Sequence, residues 1–143
     1  MLKDNTMQKE FKRDISSLKK IYKMINAFIN VEQLNVDLIS SLNLVIEELF
    51  TNMVKYSSDN LNKILLELKI DNDRILIILT DYDVEPFDIR KATKYDNHQT
   101  VEKRPIGKIG LHLVKKYVDD INYKYQDRTS KITLIKYLGK KHA

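Results

Sequence analysis

Cysteine is absent from this chain of 143 residues. Without thiols, neither a disulfide nor a thiolate metal site can form, which fits a reducing compartment. No apolar run approaches the ~20 residues that a transmembrane helix needs. The charged N-terminal segment, MLKDNTMQKEFKRD, also lacks the apolar core of a signal peptide. Internal repeats and low-complexity segments are absent as well. These absences predict a cytoplasmic protein with no membrane partner.

Charge is abundant but diffuse. The chain has 25 Lys and Arg against 20 Asp and Glu, giving a formal charge of +5, and 43% of its residues are hydrophobic. This length and composition suit one domain, 1–143, with a sizeable core. The lysines are spread out and no aromatic residues are interleaved with them in a recognition motif, which argues against nucleic-acid binding. A basic surface that attracts phosphates or an acidic protein explains the charge as well.

Hydrophobic periodicity predicts the secondary structure. Helical spacing of apolar residues predicts helices over 16–30, 36–56 and 109–118. Alternation predicts two antiparallel hairpins, with strands over 63–70, 74–80, 121–125 and 131–138. Phe11 belongs either to a short edge strand or to a loose tail, and 1–8 and 139–143 are expected to fray. The order predicts a two-layer α/β (α+β) sandwich, in which about three helices cover one face of a mostly antiparallel sheet.

The central helix carries two polar residues beside its apolar stripe. Within LNLVIEELFTNMVKYS, Glu48 and Asn52 are four residues apart, so their side chains stack on one helix face. Half-buried polar groups destabilise a fold unless a partner satisfies them. A bound cation or ligand is one such partner, because an Asn carbonyl can ligate Mg²⁺ and a carboxylate can take a proton from an attacking hydroxyl.

Two further features fit a nucleotide. Asp81 directly follows the apolar strand ILIIL, and an Asp there could accept a hydrogen bond from an adenine amino group. Gly107-Lys108-Ile109-Gly110 opens a helix, whose free backbone N–H groups and positive dipole end suit a phosphate. The long connection between these two features is of a length typical of functional or mobile loops.

Each feature also has a purely structural interpretation. Glu48 could be a solvated flank residue, Asn52 a partner in a helix–helix hydrogen bond, and Asp81 an ordinary turn residue. The GKIG segment could start a helix that binds nothing. Their order and spacing together favour a site for phosphoryl transfer, a reaction that depends mainly on positioning and charge stabilisation.

The chain resembles the GHKL ATPase superfamily, whose nucleotide-binding fold is the Bergerat fold, and within it the anti-sigma-factor serine kinases of bacteria. The resemblance runs from about Phe11 to Leu138. It is carried by three motifs and the last strand: IEELFTNMVKYS, TDYDVEPFD, RPIGKIGLHLVKKYVDDINY and KITLIKYL. It implies ATP and Mg²⁺ as ligands, frequent homodimers, and phosphorylation of a serine on a small anti-anti-sigma (STAS-like) partner, with a sigma factor as the sequestered client.

The resemblance also implies roles for individual residues. Glu48 would be the general base, Asn52 the Mg²⁺ ligand and Asp81 the residue that contacts adenine. Residues 92–108 would form the ATP lid. The remaining implied nucleotide-binding positions lie in the second and third motifs and on the last strand: Asp83, Gly107, Lys108, Gly110 and Thr133.

Two positions depart from the family pattern and leave alternatives open. Asp83 and Lys108 stand where the family has glycine. Asp83 is therefore a rival to Asp81 for the adenine role, and Lys108 either binds a phosphate directly or obstructs the phosphate loop. Three functions follow: an active serine/threonine kinase, a catalytically eroded pseudo-kinase kept as a binding module, or an unrelated α/β interaction domain.

Overall fold

A computed structural model of the chain describes residues 6–57, 59–86 and 108–139. In these ranges the strands are β1 (Thr6–Phe11), β2 (Ile64–Asp71), β3 (Arg74–Tyr82), β4 (Asp120–Gln126) and β5 (Thr129–Tyr137). The helices are α1 (Leu18–Val31), α2 (Leu38–Tyr56) and α3 (Lys108–Tyr117), with a 3₁₀ turn at Ile15–Ser17 before α1. The strands form one sheet in the order β1-β2-β3-β5-β4, and all neighbours are antiparallel.

The helices lie on one face of this sheet, so the predicted α+β sandwich is confirmed. Each helix turns an apolar stripe inward at helical spacing. The buried positions of α1 and α2 are Ile21, Met24, Ile25, Phe28, Ile29, Leu42, Val45, Ile46, Leu49, Phe50 and Met53. They pack on the alternate strand residues that face them, including Leu66, Leu68, Ile77, Leu79 and Leu134. No helix in the described ranges has the length and apolarity needed to cross a membrane.

β3 is the central strand, as its apolar run predicts. Ile77 and Leu79 face the helices and belong to the core cluster, whereas Ile78 points to the other face of the sheet and is buried there. β1 pairs along its length with β2 and forms one edge. Phe11 is thus in an edge strand, and β1 also contains residues 6–8, for which the sequence predicts fraying.

Both hairpins turn through residues with positive φ. Asn72 has φ 59° in the first turn, and Asp127 and Arg128 have φ 53° and 59° in the second. Two consecutive residues in this region make the tight turn whose twist matches that of the flanking strands. The second turn therefore spans two residues rather than the predicted 126–130, and β4 and β5 are longer than predicted.

Candidate functional site

A cleft opens between the C-terminal half of α2, the end of β3 and the start of β5. The strand register sets Asp81 beside Ile64 of β2 and Ser130 of β5. Alternation along β3 turns Asp81 toward the helices, as it does Ile77 and Leu79. The cleft is lined by Leu49, Asn52, Met53, Tyr56, Ser57, Asp81, Val84, Glu85, Ser130 and Ile132. Two residues chosen from the sequence, Asn52 and Asp81, thus meet in one cleft.

Asn52 is a buried amide with an unsatisfied oxygen. Only 6% of the residue is exposed, and its Oδ1 has no hydrogen-bond partner among the described residues. The helix–helix hydrogen bond considered for Asn52 is therefore absent at this oxygen within the described ranges. A buried acceptor without a partner destabilises a protein by about 1–3 kcal/mol. Asn43, nine residues earlier on α2, carries a second such oxygen but does not line the cleft.

Glu48 lies one helical turn before Asn52, is partly buried, and is not among the residues that line the cleft. Burial raises the pKa of its carboxyl group, and the charge of Glu47 adds to this rise while Lys55 opposes it. A carboxylate with a raised pKa is a stronger proton acceptor than an ordinary glutamate. Its neighbour Glu47 has a different environment, because it accepts a hydrogen bond of 2.7 Å from the Tyr22 hydroxyl.

Asp81 is buried against an arginine that the sequence did not indicate. Its residue is 4% exposed, and its two carboxylate oxygens both accept hydrogen bonds from the guanidinium of Arg13. Burial raises the pKa of Asp81, while the hydrogen bonds and the positive charge of Arg13 act to lower it. The pair fixes the orientation of the Asp81 carboxylate at the wall of the cleft.

Asp83 occupies the left-handed region of backbone conformation, at φ 59°. This is the region that glycine favours, and Asp tolerates it better than most residues do. The Asp83 carboxylate accepts a 2.7 Å hydrogen bond from Nε of Arg128 on the surface, and Nη1 of Arg128 also contacts Glu85 at 3.0 Å. The Asp83 side chain is 66% exposed and does not line the cleft that contains Asp81.

Thr133 lies away from the cleft. It pairs with Ile78 of β3 and shares the sheet face that the helices do not cover. Ser130, three residues earlier, pairs with Asp81 and lines the cleft instead. Alternation places Ser130 on the same sheet face as Ile132 and Leu134. The apolar pattern of β5 therefore predicts that Ser130 faces the helices. No comparable signal marked Arg13.

The predicted phosphate segment is only partly described. α3 begins at Lys108, one residue before its predicted start, and Gly110 lies in its first turn. Gly107 and the rest of the expected lid, 92–107, lie outside the described residues, as does the side chain of Lys108.

Among the residues described, the cleft offers an unpaired protein oxygen that suits Mg²⁺. In the described ranges no group of three or more His, Cys, Asp or Glu side chains could hold a metal by itself. Mg²⁺ needs no such cage, because it commonly keeps its waters and binds one or two protein oxygens plus substrate phosphates. The unpaired Oδ1 of Asn52 is an oxygen of this kind, so the donor set fits an ion that arrives with a nucleotide.

Comparison with known sequences identifies a family. The sequence model of a family described as histidine kinase-like ATPase domain matches residues 11–136. No curated protein sequence gives a significant match.

Two solved structures share the fold. The structure of the RsbU and RsbW domains of Rv1364c from Mycobacterium tuberculosis has a TM-score of 0.65 and 12% sequence identity, and the match covers 92% of this chain and 32% of that one. The chain thus spans about a third of that protein. The structure of the SiaB–SiaC complex from Pseudomonas aeruginosa also has a TM-score of 0.65, with 11% sequence identity, and the match covers 90% of this chain and 88% of that one. At such identities these structures establish the shared fold alone.

Proposed function

Because this chain belongs to the histidine kinase-like ATPase family, we propose that its cleft binds Mg²⁺-ATP and that it phosphorylates a serine or threonine of a small partner protein. The observation that carries this proposal is the buried Oδ1 of Asn52, which has no partner among the described residues. It lies in the same cleft as Asp81 and one turn after Glu48. A cation bound there would satisfy this oxygen.

The nucleotide base has a matching environment in the cleft. Aliphatic side chains of α2 and the sheet provide apolar walls, and Asp81 provides a buried acceptor between them. The exocyclic amino group of adenine is a donor of the kind that a carboxylate accepts. The phosphates would then extend toward the start of α3, where free N–H groups and the positive dipole end favour an anion, with Gly107, Lys108 and Gly110 as candidate contacts.

Glu48 and Asn52 have separate roles in the proposed reaction. Asn52 would hold Mg²⁺ through Oδ1, and the ion, when bound, neutralises charge on the phosphates. Glu48 would accept the proton of the attacking hydroxyl, a role that its raised pKa supports. The hydroxyl oxygen forms the new bond to the γ-phosphorus, and ADP leaves with the electrons of the broken bond.

Asp83 does not oppose this proposal. A carboxylate aimed at a nucleotide would repel its phosphates, but the Asp83 side chain is on the surface and paired with Arg128. Its backbone adopts the conformation that a glycine would supply at this position. The departure from the family motif is therefore compatible with a functional cleft. Asp81 is favoured over Asp83 as the residue that contacts adenine.

Calorimetry with ATP and Mg²⁺ tests the proposal, and α2 supplies a matched control. Asn52→Ala and Asn43→Ala each remove one buried oxygen that lacks a described partner, but only Asn52 lines the cleft. We expect Asn52→Ala to weaken Mg²⁺-ATP binding by about tenfold or more, as loss of a metal ligand should, and Asn43→Ala to leave it unchanged. No heat with the wild type at millimolar nucleotide, or equal effects of both substitutions, would refute the proposal.

A pseudo-kinase that keeps the fold as a binding module is the second candidate. The observation that favours it is the contact of Arg13 with both carboxylate oxygens of Asp81. Because of this contact, adenine would have to share the Asp81 carboxylate with Arg13. Such a protein would bind its partner equally well with and without ATP. Partner phosphorylation that requires Mg²⁺-ATP would exclude it.

The proposed partner is a STAS-like anti-anti-sigma protein, and the proposed client is a sigma factor. The motif resemblance to anti-sigma-factor kinases supports this, together with a fold shared with a protein solved in complex with a second one, SiaB with SiaC. Co-elution with a STAS-domain protein encoded in the same genome, followed by phosphate analysis of that protein, tests the assignment. Failure of every such protein to co-elute or to accept phosphate would contradict it.

A homodimer is also proposed, formed through the sheet face that the helices leave open. Leu76 and Ile78 of β3 lie at its centre. The register places Glu10 of β1 and Lys124 of β4 in one row across the sheet, at opposite edges. A twofold axis parallel to β3 would therefore set Glu10 of one copy over Lys124 of the other. Such self-complementarity is what a twofold interface requires.

A further inference from the structure

Arg13 is buried behind two residues that line the cleft, Met53 and Asp81, although arginine is seldom buried without a specific partner. Its side chain is 3% exposed, and it follows β1 in a segment that carries none of the family motifs. We propose that Arg13 is a positioning residue, which holds the Asp81 carboxylate in the orientation that accepts a hydrogen bond from the 6-amino group of a purine. This inference rests on the proposed nucleotide function and adds to it a determinant of base selectivity.

The contacts of Arg13 tie three segments of the chain together at the cleft. Nη1 donates to the carbonyl oxygen of Met53 near the end of α2 at 2.8 Å, and Nε donates to that of Asn62 before β2 at 3.3 Å. Nη1 and Nη2 donate to Oδ2 and Oδ1 of Asp81, with the Oδ2 distance at 3.4 Å. A guanidinium is a rigid, planar fork, so anchors on two backbone carbonyls fix the direction in which it presents itself to Asp81.

These contacts leave Arg13 little capacity for another role. Three of its nitrogen atoms already donate to protein acceptors, and all of them are directed at Asp81 or at backbone carbonyls. A phosphate-binding arginine instead needs its fork free to face the anion. The positive charge of Arg13 therefore acts on Asp81 rather than on a ligand.

Asp81 keeps acceptor capacity despite this pairing. An ionised carboxylate has about four lone-pair sites on its two oxygens, and Arg13 takes a lone pair on each oxygen. The remaining lone pairs can accept from a donor in the cleft. Without Arg13 the buried carboxylate would stand uncompensated, a situation that folded proteins avoid by protonating the group or moving it. Protonation would leave a neutral, weaker acceptor for the 6-amino group, and movement would displace the acceptor from it.

The test compares two nucleotides that differ only in that amino group. ATP and purine riboside triphosphate, which has hydrogen at position 6, are titrated calorimetrically with Mg²⁺ into the wild type, Arg13→Lys and Arg13→Met. We expect the wild type to bind ATP about 10- to 100-fold more tightly, the range for one hydrogen bond to a charged group. Arg13→Met should lose most of this ratio by weakening ATP alone, and Arg13→Lys should retain part of it.

Arg74→Met is the matched control for loss of an arginine from an acid pair. Arg74 pairs with Asp71 at the far end of the β2–β3 hairpin and does not line the cleft. We expect the ratio of the two affinities to stay at its wild-type value in this variant. A change in the ratio here would mean that it reports general loosening of the sheet, and would overturn the inference.

Other results separate the inference from the proposed function. Equal weakening of both nucleotides in Arg13→Met would make Arg13 a structural residue only, and stronger ATP binding would make it an obstruction. Either result overturns the positioning role and leaves ATP binding intact. A wild type that binds neither nucleotide overturns the proposed function and this inference with it.

A double variant covers the case in which Arg13→Met does not fold. Removing one member of a buried ion pair leaves an unpaired charge, whereas removing both charges is often tolerated. Arg13→Met combined with Asp81→Asn should therefore fold, as judged by a cooperative thermal transition. We expect it to bind the two nucleotides within about threefold of each other, since an amide not held by Arg13 offers a neutral, weaker acceptor. Retention of the wild-type ratio would contradict the inference.

Discussion

A polar residue beside the apolar stripe of a helix can serve either a structural hydrogen bond or the binding and conversion of a ligand. On α2, Glu47 has a structural partner in the Tyr22 hydroxyl, whereas Glu48 is partly buried and has a raised pKa. Asn52 has an oxygen with no partner in the described ranges. The two neighbouring glutamates have the same side chain and differ only in their surroundings. Glu47 has a hydrogen-bond partner in Tyr22, and Glu48 is available as a proton acceptor.

Substitution of Glu48 tests its assignment as the general base. Glu48→Gln keeps the size of the side chain but removes the proton acceptor, so the rate of phosphate transfer should fall about 10²- to 10⁴-fold. Affinity for ATP should stay within about twofold, because this carboxylate is not assigned a nucleotide contact. Radiolabel transfer from ATP to a STAS-domain protein of the same genome measures the rate, and calorimetry measures the affinity.

Glu47→Gln is the control for this experiment. It removes the adjacent charge and alters the hydrogen bond from Tyr22, but the residue has no role in the proposed transfer. We expect it to retain transfer within a few-fold of the wild-type rate. If Glu48→Gln transfers phosphate as fast as the wild type, the general-base assignment is wrong.

Elements meet at the site because hairpin geometry sets where strands end. The β4–β5 turn brings Arg128 beside Asp83, and its hydrogen bonds to Asp83 and Glu85 anchor the segment that follows β3. The backbone N–H of Val84 also donates to the carbonyl of Arg128 at 3.0 Å. A turn in one hairpin thus supports the chain where it leaves the other, beside the cleft.

The conformation of Arg128 predicts an unusual response to glycine. Its φ of 59° is strained for a residue with a Cβ atom, at about 1–2 kcal/mol. Arg128→Gly and Arg128→Ala both remove the exposed ion pairs, which are worth about 0–1 kcal/mol, but only glycine relieves the strain. We expect Arg128→Gly to be more stable than Arg128→Ala by about 1 kcal/mol in urea unfolding.

Lys131 supplies a control of opposite sign. It lies in β5 and is not among the described residues with positive φ. In a strand, glycine destabilises relative to alanine by about 0.5–1 kcal/mol. Lys131→Gly should therefore be less stable than Lys131→Ala. The same order at both positions would contradict the turn geometry.

The whole molecule has two unlike sheet faces. One face carries the three helices and the core, and the other carries charged residues around the central side chains Leu76 and Ile78. An antiparallel sheet can leave one face to water, but this face also has apolar residues at its centre and opposite charges at its edges. These features suit contact with a second copy.

A charge-swap cycle tests the proposed homodimer. Glu10→Lys and Lys124→Glu should each weaken dimerisation several-fold, because each puts like charges opposite one another at two symmetric places, with about 0.2–1 kcal/mol per exposed pair. The double variant should recover the wild-type dissociation constant. Light scattering and sedimentation equilibrium measure the mass and the constant. A wild type that stays monomeric at high concentration, or a double variant weaker than either single one, would contradict this interface.

Much of the fold and part of the site could be predicted from the sequence. Apolar periodicity located α1, α2 and both hairpins, because burial of one face imposes a period of 3.6 or 2 on the residues themselves. The spacing of Glu48 and Asn52 and the position of Asp81 after β3 are local properties, and so is the motif resemblance that the family match confirms. The family resemblance alone implies a role for Thr133, and the strand register places it on the sheet face opposite the helices.

The sequence by itself determined that this protein is an α+β sandwich with polar residues on its central helix. The tertiary structure decided which polar residues share a cleft. Arg13 and Asp81 are 68 positions apart, and only the pairing of β1 with β2 and of β2 with β3 brings them into contact. The left-handed conformation and surface pairing of Asp83 were likewise decided by the folded chain. Contacts between distant segments depend on register and packing, which leave no periodic trace in the sequence.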